Sequence, residues 1–585
     1  MSSIQWQEWN DEAFEKAKSD NKPVLLLITA AWCRWCKSME EETFSDPEVI
    51  RAVEESFLPI RVDKDRRPDI NDRYNMGGWP SSVFLTPEGD VITGGTYFNA
   101  KEMALLLKRI AESYRENKGK IEEAVHEMIL KDEDATRERP AQGATLNLEI
   151  ITNVSRSIYR EFDEKHGGFG TGQKFAHSEA LDFALLQYFK TNDLKLFGVI
   201  NKTLTCMAEG KLFDRIDGGF FRFCATRDWR SPHTEKLLET NIKLLNNYLD
   251  AARVMDRESY RIVAAKTASY ICSNLWDENR KAFWGSRDAD NDYYELEGVD
   301  RQDRKPPQAD RTIYANLNAN AASVFLKAGA VLDEPYLQDM AVSAIEFLLQ
   351  NMYVPERGVY HYFDSTRHIL GLLSDQIYLC DALLQAVEYL GENRYLDVIR
   401  DLIETIVQKQ SSHLGGFYDI PPGHGAHGGL TRQNKSILEN AVMASVLIRY
   451  HYFTFDDHYL QLAERTLKAF AEDYHLYGYF TAGYAKAVDN FFYKPIYVVI
   501  MGKKNSPKTD LLRKTATQLY LPSCIAVTID PDTEPEMVKQ MKFPVGRDPK
   551  AYICLEQSCH AAVDDPEELK TAIQDLEASR APHQR

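Results

Sequence analysis

A short glycine–aromatic phrase recurs along the middle of the chain and constrains the fold more than any other feature. It reads GGFG at 167–170, GGFFRF at 218–223, KAFWGS at 281–286, RGVYHYF at 357–363, GGFYDI at 415–420 and YGYFTAG at 477–483. The copies lie roughly 50 to 75 residues apart, a spacing that marks repeat architectures. An amphipathic stretch precedes each turn, as in LEIITNVSRSIYREF (148–162) and YLDVIRDLIETIVQKQ (395–410). Another follows it, as in TEKLLETNIKLLNNYLDAARVM (234–255) and ILENAVMASVLIRYHYF (437–453). Apolar residues at i, i+3, i+4 and i+7 predict helices in both sets. Six helix–loop–helix units can close into an (α/α)6 toroid, with inner and outer rings and the long loops at one end, or stack as an open solenoid. Variable loops on one face favour closure.

The chain of 585 residues is too long for one core. Its boundaries are expected near 1–125, 126–145, 146–494 and 495–585. KDEDATRERPAQGAT (131–145) lacks an apolar period and reads as linker. A formal charge of -18 argues against nucleic-acid binding, which needs clustered cations. The start, MSSIQWQEWNDEAFEKA, has no apolar signal-like region, and no stretch approaches the ~20 apolar residues that span a bilayer. Nine cysteines, mostly single, suit a reducing compartment. A cytoplasmic protein with neither a nucleic-acid nor a membrane partner is therefore expected.

The first region carries a Cys-x-x-Cys pair. In NKPVLLLITAAWCRWCKSMEEETF a buried strand is followed by a loop and a helix that opens near Cys33. Unpaired N–H groups at a helix start favour a thiolate, and Arg34 adds a cation. Cys36, one turn on, is the resolving thiol. FLPIRVDKD (57–65) reads as a second strand and SSVFLTPEGDVITGG (81–95) as a hairpin, with GGWP before it. The order predicts a thioredoxin-like α/β fold in which Pro80 takes the cis-proline place beside the cysteines. Three readings stay open: thiol–disulfide exchange, a pair that is only structural, and half of a zinc site completed by Cys554 and Cys559.

Residues 32–98 closely resemble the thioredoxin domain of the spermatogenesis-associated protein 20-like family. The shared cues are WCxWC with Met39-Glu40, Phe44-Ser45-Asp46, Val62-Asp63, Arg67-Pro68-Asp69, Gly77-Gly78-Trp79-Pro80 and Gly95-Thr96-Tyr97-Phe98. Where that family usually has His between the cysteines, this chain has Arg34, and its segment before Gly77 is shorter. The resemblance implies a redox loop of Arg34, Trp35, Trp79 and Pro80 around Cys33 and Cys36. It also implies a long domain similar to six-hairpin glycosidases and sugar epimerases.

A toroid of that kind is expected to open as a funnel at its loop face. Aromatics there would stack on sugar rings, and carboxylates or histidines would do acid–base work. RDWRSPHTEKLLE (227–239) supplies His233, Glu235 and Lys236 and resembles the family's Pro-His-Phe-Glu-Lys pattern, with Thr234 for the aromatic. The plain alternative is a helix start with Thr234 as N-cap and Lys236 solvated. His177, Asp217, Asp375 and Glu439 are further funnel candidates. His424 and His427, in PPGHGAHGGL, read as a flexible loop.

The last region alternates strand and helix and resembles the family's small α/β ending, including Cys554 and Cys559, a possible second thiol pair that could exchange electrons with the first. The tail after Ser579 is expected to be disordered. Three functions follow: a thiol–disulfide oxidoreductase, a sugar epimerase or hydrolase, or a non-catalytic scaffold. The expected partners are a disulfide-bearing protein or a carbohydrate, with no cofactor and no metal.

Overall fold

The structure is a computed structural model and describes residues 3–136, 145–296, 298–546, 548–555, 558–559 and 562–580. Its first unit is a four-stranded sheet in the order β2-β1-β3-β4, built from β1 (Val24–Thr29), β2 (Leu58–Asp63), β3 (Ser81–Leu85) and β4 (Val91–Gly95). β1 pairs parallel with β2 and antiparallel with β3. Every residue of β1 is buried, as an unbroken apolar run covered on both faces must be. The helices are α1 (Asp11–Ser19), α2 (Arg34–Glu42), α3 (Pro47–Ser56), α4 (Pro68–Tyr74) and α5 (Ala100–Thr136). Prolines open α3 and α4, where their fixed φ suits the first turn. The unit is thioredoxin-like, as expected. The linker expected from 126 is corrected: its residues remain helical to Thr136, and 137–144 lie outside the described residues.

Among the described residues, the middle of the chain forms twelve long helices. They are α6 (Glu149–Glu161), α7 (Ser178–Thr191), α8 (Leu194–Glu209), α9 (Leu238–Met255) and α10 (Glu258–Asn274); then, after the short α11 (Asn291–Tyr294) and α12 (Gly298–Gln302), α13 (Ala315–Leu332), α14 (Pro335–Asn351), α15 (Leu373–Leu390), α16 (Tyr395–Gln410), α17 (Ile437–Thr454), α18 (Asp457–Lys468) and α19 (Ala482–Phe492). Helices α7, α9, α13, α15, α17 and α19 each pack on the next, and α19 returns to α7. The ring is closed: an (α/α)6 toroid, not a solenoid. Inner helices such as α13 are buried nearly all round, whereas the outer α18 buries one stripe.

The recurring aromatic has a structural cause. The backbone N–H of Phe220 donates to Asn241 Oδ1, and Asn241 Nδ2 donates back to the Phe220 carbonyl. Asn318 clamps Phe283 in the same way, and Asn440 clamps Phe417. In these three units an amide one turn into the inner helix satisfies the buried backbone of the turn.

A third unit follows. Strands 496–501, 524–529, 550–555 and 558–559 form a mixed sheet with helices 507–518 and 566–579. It caps the C-terminal ends of inner helices: Arg253 donates to the Leu519 carbonyl, Gln518 to that of Ala330, and Asn393 to that of Thr528. The expected disordered tail is corrected at Arg580, which is buried and paired with Glu577. Residues 581–585 lie outside the described residues.

Candidate functional site

Cys33 is the N-cap of α2 and forms a disulfide with Cys36, with Cα atoms 5.3 Å apart. Its Sγ accepts the Cys36 N–H at 3.1 Å and lies 3.6 Å from the Trp79 carbonyl. The Trp79–Pro80 bond is cis. The Trp79 indole donates to Asn71 and meets Trp32 edge-on, which fixes the proline loop against the cysteines. Arg34 is exposed, and Trp35, 53% exposed, lies edge-on to Tyr97.

The pair does not face open solvent. Each cysteine is 5% exposed, in a small apolar cluster that includes Leu237 of the toroid. The segment read from sequence as a separate candidate therefore lies on the redox loop. Around it, Arg222 packs over Trp32 and donates to Glu235 at 2.7 Å, and His233 stacks on Phe223. Burial and the Arg222 and Arg34 cations hold His233 below the ordinary imidazole pKa, against the pull of Glu235.

The expected open funnel is also corrected, because the thioredoxin-like unit covers the loop face. Arg73 forms a bidentate pair with Asp419, Arg66 donates to Thr312, and Lys37 pairs with Asp288. The loop of His424 and His427 is part of this interface. His424 bonds Asp69, and His427 bonds Asp11 while stacking on Phe14. Near the ring axis, His361 Nε2 lies 2.7 Å from the Asp65 carbonyl and Nδ1 lies 3.0 Å from the Asp375 carboxylate. Both partners accept, so both ring nitrogens carry protons. Burial opposes that charge, and Asp375 overrides it and raises the pKa.

Between the two units lies a cavity of about 260 Å³. Lys64 and Asp72 roof it, and Glu239, Lys243, Asn320 and Tyr378 of the inner helices wall it. Lys243 reaches both Glu179 and Glu239 at 2.8 Å. Lys243 lowers Glu239 to about 2. Both glutamates stand in the first turn of their inner helices and keep 44% of their side-chain surface accessible beneath the thioredoxin-like unit, so the space they face is large enough for water. Just beyond, Glu439 opens α17; one carboxylate oxygen is buried without a hydrogen bond. Burial, with Asp419, Asp72 and Asp375 nearby, raises it to about 8.

Other expectations change. His233, Glu235 and Lys236 precede the inner helix, which starts at Leu238, and Thr234 donates to Asn291 instead of capping. Lys236 is fully buried on Asp214 and the Gly218 carbonyl, where burial lowers it to about 8. Lys174 grips Asp163 and Gly170 likewise in the first unit, so this lysine is a loop staple. Asp217 pairs with Arg301. His177 has a left-handed backbone and sits among Phe169, Phe175 and Phe480; burial lowers it to about 4. Sequence reasoning missed Glu239 and Lys243, whose i,i+4 spacing was the available signal, and His361 inside RGVYHYF.

Cys554 and Cys559 form a second disulfide across adjacent strands. Exchange between the pairs is contradicted by position. The first lies at the N-terminal ends of the inner helices and the second in the unit capping their C-terminal ends, and the 18-residue helices that run between those ends are about 27 Å long. Among the described residues no group of His, Cys, Asp and Glu suits a metal, and no helix is long and apolar enough to cross a membrane.

The family match agrees with the extent of the first unit. Residues 1–131 match the family Thioredox_DsbH, described as a protein of unknown function, DUF255. Spermatogenesis-associated protein 20 of Homo sapiens is a homologue, 31% identical over 313 residues, 49% of this chain and 39% of that protein. The match thus spans about two fifths of the curated relative's length. Thiol:disulfide interchange protein DsbD of Cronobacter sakazakii is 38% identical over 88 residues, 14% of this chain and 15% of that protein. A sugar epimerase from a ruminal bacterium aligns with TM-score 0.46 and 13% identity over 56% of this chain and 87% of its own. D-mannose isomerase aligns with TM-score 0.47 and 12% identity over 58% and 96%.

Proposed function

We propose that the chain is a thiol–disulfide exchange protein whose redox centre, Cys33–Cys36, works against its own toroid. The observation that carries this reading is Cys33 at the N-cap of α2, with its sulfur on the Cys36 N–H and beside a cis-proline loop. The resemblance of this region to DsbD supports it. An incoming thiolate attacks Cys33 Sγ and forms a mixed disulfide, while Cys36 leaves as a thiolate and takes up a proton. A second external thiolate then attacks the external sulfur, giving an external disulfide and the Cys33 thiolate. Run backwards, the dithiol reduces a disulfide.

Leu237 stands on the face that an extended substrate would need. The exchange partner is therefore a small thiol or disulfide, or a protein that displaces the 232–237 segment. Trapping tests this. Reduced Cys36→Ser, given glutathione disulfide, should retain one glutathione on Cys33 by intact-mass measurement, whereas Cys33→Ser should retain none there. Equal labelling of both variants, or of neither, would contradict exchange at this pair.

A further inference from the structure

We propose that the axial cavity is a binding site for an uncharged polyhydroxylated molecule of monosaccharide size, roofed by the thioredoxin-like unit. The cavity, about 260 Å³, is near the lower end of ligand pockets, roughly 300 Å³, and so fits one small molecule. Its wall is polar and offers both donors and acceptors. Tyr378 and Asn320 line it, and their side chains make no hydrogen bond with the described residues. Tyr314 and Leu317 add apolar surface for the C–H face of a ring.

Charge selects the class. The two cavity lysines are already engaged: Lys64 lies 2.6 Å from Asp65, and Lys243 is shared between Glu179 and Glu239. His361, the other cation on the cavity wall, is held by Asp375, so among the described residues lining the cavity no cation is left to balance an anionic ligand, and Asp72 adds a further carboxyl group. A phosphate or carboxylate is therefore repelled. A neutral polyol avoids that cost, donates hydroxyls to Glu239 and Asp72, and accepts from Tyr378 and Asn320.

The roof makes the site a property of the assembled chain. Lys64 to Asp72 comes from the end of β2 and from α4, held over the ring by His361 on the Asp65 carbonyl and by Arg73 on Asp419. Neither unit alone encloses the space.

Calorimetric titration of the full chain with a panel of hexoses, pentoses and hexitols tests the proposal, with glucose 6-phosphate as the anionic counterpart. At least one uncharged probe should bind saturably at one site, and glucose 6-phosphate more weakly. Asn320→Leu, which fills the cavity without removing a protein hydrogen bond, should weaken binding at least tenfold while melting like the unmodified chain. Glu239→Gln should weaken it comparably; if it does not fold, Asn320→Leu alone decides. A Cys33→Ser, Cys36→Ser chain should bind as tightly as the original, which separates this site from the redox reading. No binding by any uncharged probe, tighter binding of glucose 6-phosphate, or unchanged affinity in Asn320→Leu would overturn it.

Discussion

At the scale of single residues, two buried groups set the chemistry. Cys33 owes its place to the end of a wholly apolar strand and the start of a helix, both of which can be read from VLLLITAAWCRWC. Its cover could not be: Leu237 is a common apolar residue and nothing local marks it as a lid. Leu237→Ala should speed reduction of Cys33–Cys36 by dithiothreitol several-fold, followed by quenched alkylation, because it opens the sulfur to the attacking thiolate. Glu439 was legible as a polar residue in an apolar stripe, but the carboxylates that gather around it come from distant segments. Its raised pKa means that the folded state binds a proton the unfolded chain would release. Stability from this group is lost as pH rises from about 4.5 to about 8. Glu439→Gln should therefore stabilise the protein by about 1–2 kcal/mol at pH 9 and hardly at all at pH 4, read from urea unfolding.

At the scale of elements, the six-fold phrase was legible because each turn repeats the same demand for a buried aromatic and a tight glycine backbone. Gly219 shows why: at φ +72, any added Cβ would meet Tyr270 at 2.5 Å. The asparagines that answer the demand sit one turn into α9, α13 and α17, and single polar residues in apolar helices carry no period of their own. Asn318→Ala should cost about 2–3 kcal/mol in thermal or urea unfolding, since it leaves the Phe283 N–H and carbonyl buried without partners. The start of α9 was misjudged because Thr234 and Glu235 look like a helix opening. Short pairings at 232–233 and 236–237 hold the chain extended until Leu238.

At the scale of the whole molecule, the three units were legible from composition and periodicity, and their assembly was not. Ion pairs such as Arg73–Asp419 join residues hundreds of positions apart, and surface-type charges in sequence give no sign of a specific partner. The interface depends on His361 being held between Asp65 and Asp375. His361→Ala should leave the Asp375 carboxylate buried without its cation, a cost of about 3 kcal/mol, and should loosen the roof. Limited proteolysis should then cut between the thioredoxin-like unit and the toroid sooner than in the unmodified chain. An unchanged digestion pattern would mean that the other interface pairs suffice.

The central claim is that Cys33 is a sulfur made acidic by the helix start it caps. The direct measurement is the rate of iodoacetamide alkylation of Cys33 in the reduced protein against pH, with Cys33→Ser as the blank. The account predicts a midpoint at least ~1 unit below the free-cysteine value of about 8.5. A midpoint at or above that value would contradict it.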